Sequence, residues 1–78
     1  MEIREILAAN LKRLRKAKGL SQEELAHQVG IDRTYVSALE RRVYAASIDL
    51  VDRLARALQV DPQDLLTPLQ KIEPPPSE

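Results

Sequence analysis

The stretch LSQEELAHQVGIDRTYVSALER, residues 20–41, predicts two short helices joined by a tight turn. Ser21 and Glu24 have the spacing of a capping box, in which each side chain binds the backbone amide of the other. The first helix is therefore expected to begin at Gln22. Gly30 is expected to end it, because glycine adopts the left-handed conformation that follows many helices at no steric cost.

The second helix of the stretch is expected to be capped by Asp32 and to run over about residues 33–41. At about 100° per residue, its polar and small side chains share one arc of roughly 140°, and its packing side chains fill the opposite side. The polar arc comprises Arg33, Thr34, Ser37, Ala38 and Arg41, and the packing side comprises Tyr35, Val36, Leu39 and Glu40.

The polar arc suits a helix laid in the major groove of DNA, where the base edges present distinct patterns of donors and acceptors. Arg33 can bind guanine through two hydrogen bonds, and Thr34 and Ser37 can bind a base. Ala38 permits close approach to a thymine methyl group, and Gln22 at the start of the preceding helix is placed to bind a phosphate. A solvated face of any small helical bundle has a similar composition. The two capped helices with their short turn favour the DNA interpretation over that alternative.

Three further helices are expected outside this stretch. One spans about residues 3–17, with an apolar stripe at positions 3, 7, 11 and 14. Another follows Ser47 as its cap and reaches about residue 59, and a last short helix follows Asp61-Pro62. The chain is thus expected to be all-α, with a core of aliphatic side chains: Leu7, Leu11, Leu14, Leu20, Leu25, Ala26, Val29, Ile31, Val36, Leu39, Ile48, Val51, Leu54, Ala55, Leu58, Val60 and Leu65.

Three segments together resemble the Cro and phage-repressor type of helix-turn-helix, also called the xenobiotic-response-element family: NLKRLRKAKGLSQEELA, VGIDRTYVSALER and SIDLVDRLARALQVDPQDLL. The resemblance covers about residues 7–66. It implies a five-helix, lambda-repressor-like domain that binds pseudo-palindromic operators in double-stranded DNA as a homodimer. It implies base contacts from the polar arc, a phosphate contact from Gln22, and an ion pair between Arg15 and Glu40.

Within that family, DRTYVSALER looks most like the controller proteins of restriction–modification systems. That resemblance implies DNA contacts from Arg33, Thr34 and Tyr35, and Arg41 completes the expected DNA-binding set. The chain departs from the family pattern after Glu40. The departures are Arg42 in place of a glycine, Tyr44 and Ala45 in place of arginine and asparagine, and Ala46 near a usual proline.

Composition restricts the other functions that are open to the chain. It has 12 basic and 12 acidic residues, with nine basic against six acidic in residues 1–42 and three against six in residues 43–78. Without cysteine, we expect no disulfide and no thiolate metal site, and no other metal cluster or cofactor motif is present. The single histidine, His27, has no nucleophile to serve, so we expect no enzyme. The short chain predicts no built-in effector-binding module.

Two leucines, Leu50 and Leu66, are surplus to the expected core and are predicted to form the dimer interface. Residues 1–66 are expected to be the DNA-binding domain, and residues 67–78 a disordered, proline-rich tail. Without an apolar run of membrane-spanning length or a signal segment, we expect a cytoplasmic transcription regulator that contacts RNA polymerase or blocks it. The alternative is an antitoxin or a protein-interaction module that keeps the fold, which the zero net charge and the surplus leucines would suit.

Overall fold

The computed structural model describes residues 2–68, and these residues form five α-helices without a strand. In chain order they are α1 (Ile3–Ala17), α2 (Gln22–Val29), α3 (Arg33–Glu40), α4 (Ile48–Leu58) and α5 (Pro62–Leu66). The predicted all-α, five-helix fold is confirmed. The predicted bounds of α1 and α2 match those observed, and α3 ends one residue earlier than expected, at Glu40.

Two helices, α2 and α4, begin where the sequence predicts, because the expected serine side chains cap them. The backbone amide of Glu24 donates to Ser21 Oγ over 3.0 Å, and that of Ser21 donates to Glu24 Oε1 over 2.8 Å. The Ser47 hydroxyl accepts a hydrogen bond from the backbone amide of Leu50 at the start of α4. These bonds satisfy amide groups that have no partner within their own helix.

Four helices end at a residue in the left-handed conformation. Gly19 after α1 and Gly30 after α2 have φ of 74° and 83°, at no steric cost to glycine. Arg42 after α3 and Gln59 after α4 have φ of 66° and 61°, a conformation that costs a residue with a Cβ roughly 1–2 kcal/mol. Arg42 occupies the position at which the chain departs from the glycine of the resembled family.

The core lies where α1 meets α3 and α5 and where α2 meets α3 and α4. Its buried members are Leu7, Leu11, Leu25, Ala26, Val29, Val36, Leu39, Leu50, Val51, Leu54, Ala55, Leu58 and Leu65. All but Leu50 were expected from the sequence. Leu14, Leu20, Ile31 and Val60 pack against this cluster and are only partly buried. Ile6, Ala8 and Ala38 are further buried side chains outside the expected core.

Two predictions on α4 are wrong. Leu50 is only 4% exposed and belongs to the core, whereas Ile48, expected in the core, is 88% exposed. At about 100° per residue, the buried positions of α4 cover an arc of roughly 140° that includes residue 50 and stops just short of residue 48. Ile48 is also the first residue of the helix, where no preceding turn covers it.

A buried asparagine fastens the end of α5 to α1. Asn10 is 1% exposed, and its Nδ2 donates to the backbone oxygens of Leu65 and Thr67 over 3.0 and 2.9 Å. Thr67 therefore belongs to the folded body, one residue beyond the predicted boundary. Pro68 is the last described residue, and residues 69–78 of the predicted tail lie outside the described residues. Between residues 2 and 68, no helix is both long and apolar enough to cross a membrane.

Candidate nucleic-acid interface

The polar arc of α3 faces outward over most of its predicted width. Arg33, Thr34 and Arg41 are exposed, and Ser37 is half-buried. The Nε of Arg41 donates to the Ser37 hydroxyl over 3.3 Å, which lays the guanidinium along the helix surface. These four side chains form a continuous strip of hydrogen-bonding groups at the molecular surface.

Ala38 is the exception, and its predicted exposure is wrong. It is 5% exposed, so its methyl group does not lie open to a base edge. Ala38 is at the edge of the polar arc, and the turn that closes α3 folds back beside it. In that turn, the backbone amide of Val43 donates to the Ala38 carbonyl over 2.9 Å. The exposed strip is thus about 100° wide rather than 140°.

The N-terminus of α3 is held by Asp32. Its Oδ1 accepts from both the backbone amide and the hydroxyl of Thr34, each over 2.9 Å. These hydrogen bonds, that of the backbone amide above all, hold the pKa of Asp32 below its usual value. Because the Thr34 hydroxyl donates to the cap, the lone pairs and the methyl group of Thr34 remain for a ligand.

The predicted ion pair between Arg15 and Glu40 is present and almost fully buried. Arg15 Nε donates to Glu40 Oε2 over 2.7 Å, and Nη2 donates to Oε1 over 3.1 Å, with 9% and 4% of the two side chains exposed. The hydrogen bonds to Glu40 raise the pKa of Arg15 above its usual value. The third donor of Arg15, Nη1, binds the Leu20 carbonyl over 2.8 Å. The pair therefore joins α1, the turn before α2, and α3.

Gln22 is drawn into the same cluster. Its Nε2 donates to Glu40 Oε1 over 3.1 Å, and the residue is half-buried. One N–H of this amide group is therefore occupied, and the second N–H is the donor left for the predicted phosphate contact. Glu40 accepts from α1 and α2 at once and so sets the position of α3 relative to both.

The loop after α3 forms an aromatic contact that was not predicted from the sequence. The rings of Tyr35 and Tyr44 meet edge to face, with centroids 5.5 Å apart and an angle of 74° between the planes. The Tyr35 hydroxyl lies 3.5 Å from the Ala45 carbonyl, at the limit of a hydrogen bond. Tyr44 is 54% exposed. The signal was Tyr44 itself, which replaces a polar family residue at a loop position.

The predicted dimer residues lie apart. Leu50 is buried, whereas Leu66 is 38% exposed beside Ile3 and Ile48, which are 56% and 88% exposed. These three side chains border an apolar groove of about 530 Å³ between α1, α4 and α5. Within residues 2–68, no group of three or more potential metal-ligating side chains occurs.

Comparison with known proteins supports a nucleic-acid interface. The helix-turn-helix family model matches residues 11–65. A protein of Neisseria meningitidis serogroup B described as a hypothetical transcription factor is 46% identical over 70 residues, which are 90% of this chain and 66% of that protein. The chain thus spans just under two thirds of that relative's length.

Two solved structures share the fold. The restriction–modification controller protein C.AhdI from Aeromonas hydrophila is 42% identical, with a TM-score of 0.77 over 80% of this chain and 94% of that one. The biofilm regulator SinR in complex with DNA is 32% identical, with a TM-score of 0.75 over 78% of this chain and 98% of that one.

Proposed function

The chain belongs to the helix-turn-helix family, and on that premise we propose that it is a sequence-specific, DNA-binding transcriptional regulator. The observation that carries the proposal is the exposed strip on α3, formed by Arg33, Thr34, Ser37 and Arg41. The Asp32 cap fixes the start of this helix, and the ion pair between Arg15 and Glu40 fixes its end. A helix with donors on its outward face fits the major groove, where each base pair presents its own pattern. The solved complex of SinR with DNA supports this use of the fold.

Each exposed side chain has a role in this proposal. Arg33 at the first turn of α3 binds a guanine through its two donor edges, and Thr34 contacts a base as an acceptor or through its methyl group. Ser37 and Arg41 lie further along the strip and bind a base or a phosphate. Gln22 at the start of α2 and Tyr35 on α3 position the helix through phosphate contacts.

We propose that the regulator acts as a homodimer through the groove bordered by Ile3, Ile48 and Leu66. Exposed apolar side chains that cluster around a groove mark interaction sites. Arg4 lies on the α1 side of this groove and Asp49 on the α4 side, so a twofold axis would bring opposite charges together. Such a dimer would hold two α3 helices about 34 Å apart, one for each half of a pseudo-palindromic operator.

The narrower proposal is a restriction–modification controller that acts in the cytoplasm through RNA polymerase, without a small-molecule effector. The likeness to C.AhdI supports it. A protein-interaction module or an antitoxin with the same fold is the alternative, and it would leave the exposed strip of α3 without a ligand.

The test is a binding titration with a duplex selected from a random-sequence pool and with a scrambled duplex of the same composition. We expect the wild-type protein to prefer the selected duplex at every salt concentration. Arg33→Ala should lose about 1–3 kcal/mol of discrimination at one base pair and retain it elsewhere. Gln22→Ala should weaken both duplexes alike.

The matched control is Arg56→Ala, which removes an exposed arginine from α4, where it pairs with Asp52. It should leave the discrimination unchanged. Equal affinity of the wild-type protein for selected and scrambled duplexes would refute sequence-specific binding.

A further inference from the structure

The turn after α3 requires a residue in the left-handed conformation, and Arg42 supplies it. The turn does not require that residue to be an arginine. The backbone amides of Arg42 and Val43 donate to the carbonyls of Leu39 and Ala38 over 3.1 and 2.9 Å, which closes the helix with a left-handed residue at position 42. Glycine would close this turn without strain. The side chain of Arg42 is therefore accommodated at a conformational cost, and such strain is concentrated at functional sites.

In the free protein, the partner of the Arg42 side chain is weak. Arg42 Nη1 lies 3.3 Å from Glu5 Oε2, with 59% and 39% of the two side chains exposed. A single hydrogen bond between exposed charges adds little to stability. The other oxygen of Glu5 accepts from the backbone amide of Glu2, as part of the cap of α1. The ion pair thus does not offset the strain at Arg42, and it is easily broken.

The surroundings of this pair favour an anion. A depression of about 470 Å³ lies between α1 and the end of α3. Its lining includes two alanines, Ala8 and Ala9, and three basic residues, Lys12, Arg41 and Arg42. Glu40 at its edge is already bound by Arg15. Glu5 is the remaining carboxylate among the residues that border the depression. Arg41 also belongs to the exposed strip of α3, so the depression adjoins that strip.

We propose that Arg42 binds a backbone phosphate of the DNA duplex. In the free protein, Glu5 pairs with the Arg42 guanidinium and so competes with that phosphate. The inference rests on the proposed function. In the free protein Glu5 neutralises Arg42, and on the duplex the guanidinium exchanges the carboxylate for a phosphate. Glu5 thereby lowers the affinity for all DNA sequences alike and leaves base contacts to decide between them.

The test measures affinity for the selected duplex as a function of salt for the wild-type protein, four single variants and the double variant of Glu5→Gln with Arg42→Gln. Arg42→Gln and Arg42→Gly should each lower the salt slope by about 0.9 for each protomer bound, the value of one lost phosphate contact. Arg42→Lys keeps the charge and should keep the slope. Arg42→Gly also relieves the left-handed strain, so loss of the fold cannot explain its lower slope.

The fourth variant, Glu5→Gln, removes the charge and keeps an oxygen that can accept from the amide of Glu2. It should raise affinity about 1.4- to five-fold per protomer, the range for an exposed ion pair, in the wild-type background. It should have no effect in the Arg42→Gln background, where there is no guanidinium to release.

Three results would overturn the inference. An unchanged salt slope in Arg42→Gln would mean that Arg42 contacts no phosphate. An equal gain from Glu5→Gln in both backgrounds would mean that Glu5 repels the duplex directly, and no gain in either would mean that it restrains nothing. Failure of the proposed function is distinguishable, because the wild-type protein itself would then not prefer the selected duplex.

Discussion

Arg15 and Glu40 show how a single buried contact determines where the recognition helix lies. The pair is almost fully buried and bidentate, and it spans 25 positions of the chain. Because its members lie so far apart in sequence, neither helical periodicity nor local spacing could pair them, and only the family resemblance predicted the contact. The contribution of Gln22 to the same carboxylate was not predicted at all.

We expect Glu40→Ala to destabilise the fold by about 3–5 kcal/mol, because it leaves the Arg15 guanidinium buried without its counter-charge. Arg15→Met combined with Glu40→Leu should recover much of this loss, since it removes both charges and fills their volume. Urea unfolding followed by circular dichroism measures both values. A loss below about 1 kcal/mol for the single variant, as for a surface pair, would contradict the structural role of this contact.

The errors at Ile48 and Leu50 share one physical origin. Each residue lies at the margin of the amphipathic arc of α4, where a rotation of about 20° decides between core and solvent. Ala38 lies at the edge of the polar arc of α3, beside the turn that closes this helix. Periodicity defines the centre of an apolar face well, as Leu54 and Val36 show with 0% exposure. It defines the margin poorly, because the neighbouring helices determine how far burial extends.

Whole helices were more predictable than single side chains, because their ends depend on local chemistry. Each helix after α1 starts next to a Ser or Asp cap that the sequence displays, and Gly19 and Gly30 mark two of the ends. The ends at Arg42 and Gln59 carry no such signal, since left-handed arginine and glutamine are uncommon.

The cap of α3 predicts a dependence of stability on pH. The folded-state pKa of Asp32 is lowered, so its contribution is full above the unfolded value of about 3.9 and is lost as the pH falls through the folded value. In Asp32→Asn, the amide oxygen can still accept from Thr34 but carries no charge. We expect the wild-type protein to have a higher melting temperature than Asp32→Asn above about pH 4 and the difference to close at lower pH.

Thermal melts of both proteins between pH 7 and pH 2 measure this difference. Asp32→Ala, which removes the cap at every pH, should remain less stable than Asp32→Asn throughout the range. A constant difference between the wild-type protein and Asp32→Asn down to pH 2 would show that the charge of Asp32 does not stabilise α3.

At the scale of the whole molecule, the order of the helices was predictable and their contacts were not. Five capped helices with short connections follow from sequence and from the family resemblance. The buried Asn10 and the groove between α1, α4 and α5 depend on residues that are distant in sequence, and the sequence reasoning identified neither.

The proposed dimer is testable through a pair of variants on α4. Ile48→Lys changes a side chain that is 88% exposed, so it should convert the dimer to a monomer and change the stability of the protomer by no more than about 0.5 kcal/mol. Light scattering coupled to size-exclusion chromatography measures the mass. Leu50→Lys serves as the contrast, because a charge in the core should unfold the protein. A dimer that persists in Ile48→Lys would place the interface on another face.

The hydrogen bonds of Asn10 have a consequence for how the protein folds during its synthesis. They join residues that are 55 and 57 positions apart, so during synthesis α1 obtains these partners only after α5 has followed. A nascent chain that already carries the complete recognition helix still has a polar amide of α1 without its final acceptors. The chain of α3 is therefore synthesised before the helical body that carries it can close around α1.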